Sequence, residues 1–199
     1  MKVSVIIPYN IDRGYLKYAI QSVKDQTYPF IELIMANQPG YTCAQNINWG
    51  FKQSTGQLIK ILAEDDMLPS NSITDLVSGM PGYDFISANA RYIGEVNYVD
   101  YGHQTTLDEM LIHNQIHGGT VLYTRLCFIM TGGYDETLTT GEEYDFHLNL
   151  LNLGFKHGYI DKLVHIYRVH PFQKSTWTNS EEKLKRHQYI QQIRNRYAR

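Results

Sequence analysis

At 199 residues the chain has the length for one domain with a sizeable core. Hydrophobic residues make up 43% and charged residues 19%, a globular composition that excludes a disordered chain, and the net charge of -2 excludes a general nucleic-acid binder. The two cysteines, Cys43 and Cys127, have neither zinc spacing nor a disulfide framework and fit a reducing, cytoplasmic compartment. No apolar run reaches the ~18 residues of a transmembrane helix.

The first apolar run, residues 2–7, reads as a strand ended by Pro8 rather than as a signal peptide, because no small-residue cleavage site follows it. Residues 15–26 carry Leu16, Ala19, Ile20 and Val23 on one helical face. A second strand spans 30–35, and Asn37-Gln38-Pro39-Gly40 makes a turn into a helix over 42–53. Gly56 breaks that helix before a third strand, 58–62, and a helix follows over 71–78. Strands alternating with single helices imply right-handed crossovers and a parallel sheet. The order expected for the first three strands is 2-1-3, with the short, apolar first strand at the centre.

The middle of the chain is less regular. Residues 83–88 read as a strand, 91–101 as a strand or hairpin, and 106–113 as a short helix capped by Thr105 or Thr106. Gly118-Gly119 opens a strand over 120–123, and Gly132-Gly133 is a break. Residues 142–153 form a helix that Gly154 ends, 163–169 a strand that Pro171 ends, and 181–197 a charged helix.

Three clusters could carry chemistry. The third strand stops in Glu64, Asp65 and Asp66. Crowded carboxylates raise one another's pKa, and a hard cation such as Mg²⁺ or Mn²⁺ would relieve the repulsion; the plain alternative is an acidic turn. Glu142 and Glu143 open a helix, where the dipole favours acids and would help keep a general base ionised; simple charge matching explains them equally. Arg168 and His170 alternate onto one face at the end of the last strand, where His170 could be a metal ligand, a phosphate donor or an edge residue. The glycines of the segment 117–123 bring backbone close to a ligand or make a turn. The last helix holds Lys183, Lys185, Arg186, Arg194, Arg196 and Arg199, a solvated basic face or a contact for an acidic acceptor or a membrane surface. There is no dinucleotide fingerprint, P-loop or nucleophile elbow, so phosphates must be held by metal and side chains.

In order and spacing these residues resemble the family 2 glycosyltransferases of GT-A type. The resemblance runs from residue 3 to about residue 175 and rests on Ser4-Val5-Ile6-Ile7-Pro8-Tyr9-Asn10, Ala44-Gln45-Asn46, Glu64-Asp65-Asp66, Gly132-Gly133-Tyr134-Asp135-Glu136, Glu142-Glu143-Tyr144-Asp145 and Tyr167-Arg168-Val169-His170. It implies an α/β GT-A domain over 1–199, Rossmann-like, with a mostly parallel sheet and helices on both faces. Residues 1–66 would form the nucleotide-sugar half, 67–175 the acceptor and catalytic half, and 176–199 the basic helix. One helix and one strand after the second strand are missing relative to the family.

The resemblance further implies an inverting enzyme that uses a nucleotide-diphosphate sugar, a UDP-sugar by preference, with Mn²⁺ or Mg²⁺. Pro8, Tyr9, Asn10, Asn37, Asn46, Glu64 and Asp65 would bind the donor. Asp66, Asp65, Glu64 and His170 would hold the metal. Glu143, or its neighbour Glu142, would be the base. His117, Gly118, Gly119, Thr120 and His147 would face a glycan or lipid-linked sugar acceptor. Two rival readings are a sugar-phosphate nucleotidyltransferase and a catalytically inactive nucleotide- or carbohydrate-binding domain. The first lacks the glycine- and base-rich loop it needs, since 9–14 hold only Arg13 and Gly14.

Overall fold

The computed structural model describes residues 1–173 and 180–198, apart from the side chains of Ser180 and Glu182. β1 (Val3–Pro8) is buried along its whole length, the signature of a central strand covered on both faces. It pairs in parallel with β2 (Ile31–Ala36) on one side and β3 (Leu58–Ile61) on the other, so the 2-1-3 order holds. Between them run α1 (Leu16–Lys24) and α2 (Cys43–Gln53). A capping box fixes the start of α2: Thr42 accepts from the Gln45 N–H and the Gln45 side chain accepts from the Thr42 N–H. β2 leads straight into α2 and forms the sheet edge.

The remaining elements are α3 (Ser72–Gly79), β4 (Phe85–Gly94), β5 (Tyr98–Asp100), α4 (Leu107–Ile112), a 3₁₀ turn (Gly118–Thr120), β6 (Leu122–Thr124), α5 (Arg125–Thr131), α6 (Glu142–Asn152), β7 (His157–Val169) and α7 (Ser180–Tyr197). The sheet of seven strands runs β2-β1-β3-β6-β4-β5, with β7 also on β4. It is mixed rather than mostly parallel. β6 is antiparallel to β3 and β4, and β5 is antiparallel to β4, whereas β7 is parallel to β4. Two cores flank the sheet. Val3, Val5, Ile7, Leu58 and Leu62 pack with α1 and α3, while Ile6, Ile59, Phe85 and Tyr123 pack with α2, α5 and α6.

Two local expectations change, and one helix, α5, has no counterpart among the expectations. Gly118-Gly119 forms the 3₁₀ turn, and the strand begins two residues beyond the expected 120, at Leu122. The helix α5 has no clear amphipathic signature, because Leu126, Ile129 and Met130 are exposed while Cys127 and Phe128 are buried. The last strand begins at His157, not 163. Its register slips between Ser87↔Tyr159 and Asn89↔Leu163, and such a bulge erases the period-2 pattern of the residues within it.

α7 docks on α6 through its C-terminal half, whereas Lys183 and Lys185 near its start stay exposed. Ile193 is buried, Arg196 pairs with Asp135 at 2.9 Å and Asp145 at 3.2 Å, and Arg194 Nε donates to the Tyr144 hydroxyl at 3.1 Å. Lys185 is exposed and pairs with Glu181 one turn away. Residues 176–179 and Arg199 of the expected basic segment lie outside the described residues. Among the described residues no helix is long and apolar enough to cross a membrane.

Candidate active site

A cleft of about 590 Å³ opens at the carboxyl ends of β1 and β3, where ligands bind in open α/β sheets. Pro8 at the end of β1 and Tyr9 and Asn10 in the loop after it line the cleft. Asn46, buried on α2, ties the two neighbouring loops together: its Nδ2 donates to Asn10 Oδ1 at 2.9 Å and its Oδ1 accepts from the Gln38 N–H at 2.8 Å. Asn37, expected against the nucleoside, is exposed and is not among the cleft-lining residues. The Asn46 bond holds the neighbouring Gln38 backbone instead.

The acidic triplet is placed by the chain that follows it. Met67 and Ile166 exchange backbone hydrogen bonds of 3.0 and 2.9 Å, which brings the end of β3 against β7. The three carboxylates then diverge. Glu64 accepts from Arg13 at 3.0 Å and Asp65 meets His170 Nε2 at 3.0 Å. Asp66 turns inward, meeting His165 Nε2 at 2.9 Å and accepting the Arg168 N–H at 2.9 Å. Burial pushes the Asp66 carboxyl up and the His165 imidazole down, and both shifts favour the uncharged form of each group. Burial and then the Asp65 charge also raise Glu64, against Arg13.

Among the described residues no three His, Cys, Asp or Glu side chains converge as ligands of one ion. The expected set of Asp66, Asp65, Glu64 and His170 does not converge as one ligand set: Arg13 holds Glu64, His170 holds Asp65, and His165 and the Arg168 N–H hold Asp66, which also lines the cleft. Glu64 and Asp65 keep carboxylates on the cleft wall, the oxygen donors a hard divalent cation takes, and such a cation would need further oxygens from a ligand.

Opposite the triplet, Gly141 in a left-handed conformation (φ 72°) starts α6, so that Glu142 and Glu143 both line the cleft. The Glu143 carboxyl lies directly on Gly118, where any β-carbon would collide with it. Burial, reinforced by the charges of Glu142 and Asp66, raises Glu143 to about 7, although Lys60 opposes the rise. The expectation that the Glu142 side of the helix suits solvent fails. Asp145 is buried, accepting from the Tyr197 hydroxyl at 3.0 Å and from Arg196, because α7 covers that side.

His117, Gly118 and Gly119 line the cleft. Thr120 does not: it is buried, donating to the His117 carbonyl at 2.7 Å. His147 is a core residue, fully buried, 2.7 Å from the Tyr123 hydroxyl and pushed down to about 3 by burial. It lies on the inner side of α6 and cannot meet an acceptor. His170 is likewise behind the cleft wall, holding Asp65.

The sequence reading passed over three residues. Asn48 anchors the 132–136 loop, with its amide bonded to both the N–H and the carbonyl of Tyr134 at 2.8 Å. His165 fixes Asp66. Lys60 is fully buried in mid-strand, and burial brings it down to about 7 despite Glu143 and Asp66. A lysine inside an otherwise apolar strand was the available signal.

No family model matches the sequence. The chain is 25% identical to an uncharacterized glycosyltransferase of Rickettsia typhi, over 76% of this chain and 59% of that protein. It is 26% identical to one of Rickettsia prowazekii, over 72% and 56%. The chain thus spans little more than half the length of these curated relatives. Among solved structures it resembles S. aureus TarS 1-349 in complex with UDP-GlcNAc (TM-score 0.75, 14% identity, 96% of this chain and 65% of that one). It also resembles the mannosyltransferase PcManGT from Pyrobaculum calidifontis in complex with GDP-Man and Mn²⁺ (TM-score 0.67, 14% identity, 96% and 62%). The fold is the GT-A fold of these solved enzymes, and the curated relatives that the sequence resembles carry the name glycosyltransferase.

Proposed function

We propose that the chain moves a sugar from a nucleotide-diphosphate sugar to an acceptor hydroxyl, with inversion and with Glu143 as the base. The observation that carries this reading is Glu143, a carboxylate raised to about 7 that shares one cleft with the acids at the end of β3. A base poised near the working pH combines a useful ionised fraction with a strong pull on the proton. One solved structure of the same fold, in complex with GDP-Man and Mn²⁺, and another, in complex with UDP-GlcNAc, support a nucleotide-sugar donor.

On this reading the nucleoside lies along Pro8, Tyr9 and Asn10, and the diphosphate faces Glu64 and Asp65. A divalent cation there would neutralise the charge on the departing diphosphate. The acceptor enters beside His117 and Gly118. Glu143 takes the hydroxyl proton as the oxygen bonds to C1 and the C1–phosphate oxygen bond breaks on the opposite face. The acceptor is a glycan or a lipid-linked sugar.

The test is a screen of UDP- and GDP-sugars for thermal stabilisation with and without Mn²⁺, followed by transfer assays on the donor that binds. Glu143→Gln should keep the donor-induced Tm shift and lower turnover by roughly 10²–10⁴-fold. Full activity in that variant, with Glu142→Gln inactive, would move the base to Glu142. If no nucleotide sugar stabilises the protein, the donor assignment fails.

A further inference from the structure

The buried amine of Lys60 has no part in the reaction as described, yet it is tied to the cleft through one element. Its Nζ donates to the carbonyl of Gly119 and, at 3.1 Å, to that of Val121. Those carbonyls flank the end of the 3₁₀ turn Gly118–Thr120. The same turn lays Gly118 on the Glu143 carboxyl and packs Gly119 on the His165 ring. Two glycines in succession are needed because a side chain at either would strike one of these groups. A three-residue turn has little stability of its own. The Ala88 N–H on β4 holds Thr120 at 3.3 Å, and Lys60 anchors the two carbonyls from β3, at the position paired with Leu122 of β6.

We propose, building on the reading of Glu143 as the base, that Lys60 is a positioning residue: it clamps the Gly118–Thr120 turn and so fixes the surface on which the Glu143 carboxyl rests. A buried ammonium is costly unless its donors are satisfied and a counter-charge is near. Two carbonyl acceptors meet its donors, and Glu143 and Asp66 raise its proton affinity against the lowering by burial. A methionine would fill the same space at lower cost, so the cation has an effect that packing does not require.

The clamp also acts through charge. The groups facing Glu143 are Lys60 from β3, Asp66 from the loop after it, Glu142 from α6 itself, and the hydroxyls of Tyr123 on β6 and Tyr134 before α6. Lys60 favours the ionised form of Glu143, against burial and the charges of Glu142 and Asp66. Removing the ammonium should therefore make Glu143 harder to deprotonate as well as less well placed.

The test reads Glu143 directly and needs no substrate. Carboxyl resonances of ¹³C-glutamate-labelled protein are followed against pH, with Glu143→Gln identifying the signal. The parent should titrate near 7, and Lys60→Met should move the midpoint to higher pH. Lys60→Gln, which keeps an N–H donor but no charge, should move the midpoint in the same direction, and it serves if the methionine variant does not fold. Once a donor is known, both variants should shift the acid limb of kcat/KM to higher pH, and Lys60→Met should lower kcat by roughly tenfold or more with donor affinity unchanged. An unmoved Glu143 midpoint in both variants overturns the proposal, whatever the activity. A moved midpoint with unchanged kcat and unchanged pH profile leaves the coupling intact but overturns the reading of Glu143 as the base.

Discussion

At the scale of single residues, Asp65 and Asp66 are neighbours with opposite duties. Asp66 is 3% exposed, shares a hydrogen bond with His165 Nε2 and accepts the Arg168 N–H, so it holds the end of β3 to β7. Asp66→Ala leaves the His165 imidazole and the Arg168 N–H unpaired and should cost about 1–3 kcal/mol of stability in chemical denaturation. Asp65→Ala should cost less and should instead weaken the effect of Mn²⁺ on nucleotide-diphosphate affinity in calorimetry. The opposite pattern would return Asp66 to the metal site. Glu143 makes a second test possible without any substrate. Its folded-state pKa of about 7 exceeds the ordinary 4.5, so folding favours its protonated form. The stability it allows is fully present below pH 4.5 and is lost as pH rises through 7. Glu143→Gln cannot ionise, so it should melt above the parent at pH 8, by up to roughly 3 kcal/mol, and much closer to it at pH 5. Equal Tm differences at both pH values would contradict the raised pKa.

At the scale of elements, the cleft is built by short pieces held from outside themselves. The turn Gly118–Thr120 hangs on Lys60, the 132–136 loop hangs on Asn48, and the start of α6 is covered by α7. A β-carbon on Gly141 would meet Ile190 at 2.7 Å and Ile193 at 3.0 Å, so α7 packs directly on the left-handed residue that begins α6. Ile193→Ala should cost about 2–4 kcal/mol by opening a cavity under that junction. Because the same junction sets the angle of Glu142 and Glu143, the variant should also lower transfer activity at temperatures where it remains folded. Stability loss in denaturant titrations with full retention of turnover would show that α7 supports the fold but not the site.

At the scale of the whole molecule, the sequence by itself determined the first half of the fold. Apolar runs punctuated by Pro8, Gly56 and the acidic triplet mark strands, and single helices between them leave parallel 2-1-3 pairing as the natural solution. The same local signals placed Glu64, Asp65 and Glu143 at element ends, where side chains reach a cleft, and all three line it. What only the tertiary structure decided are the contacts between residues far apart in the chain. Asp66 finds His165 across 99 positions, Asp145 finds Tyr197 across 52, and Lys60 finds Val121 across 61. His147 shows the reason in reverse. A histidine on α6 reads as a candidate for the acceptor side because a sequence carries helical spacing but not the side on which the helix meets the sheet. Folding places it against Tyr123 and Phe85, and there burial and one hydrogen bond, rather than reactivity, account for its presence.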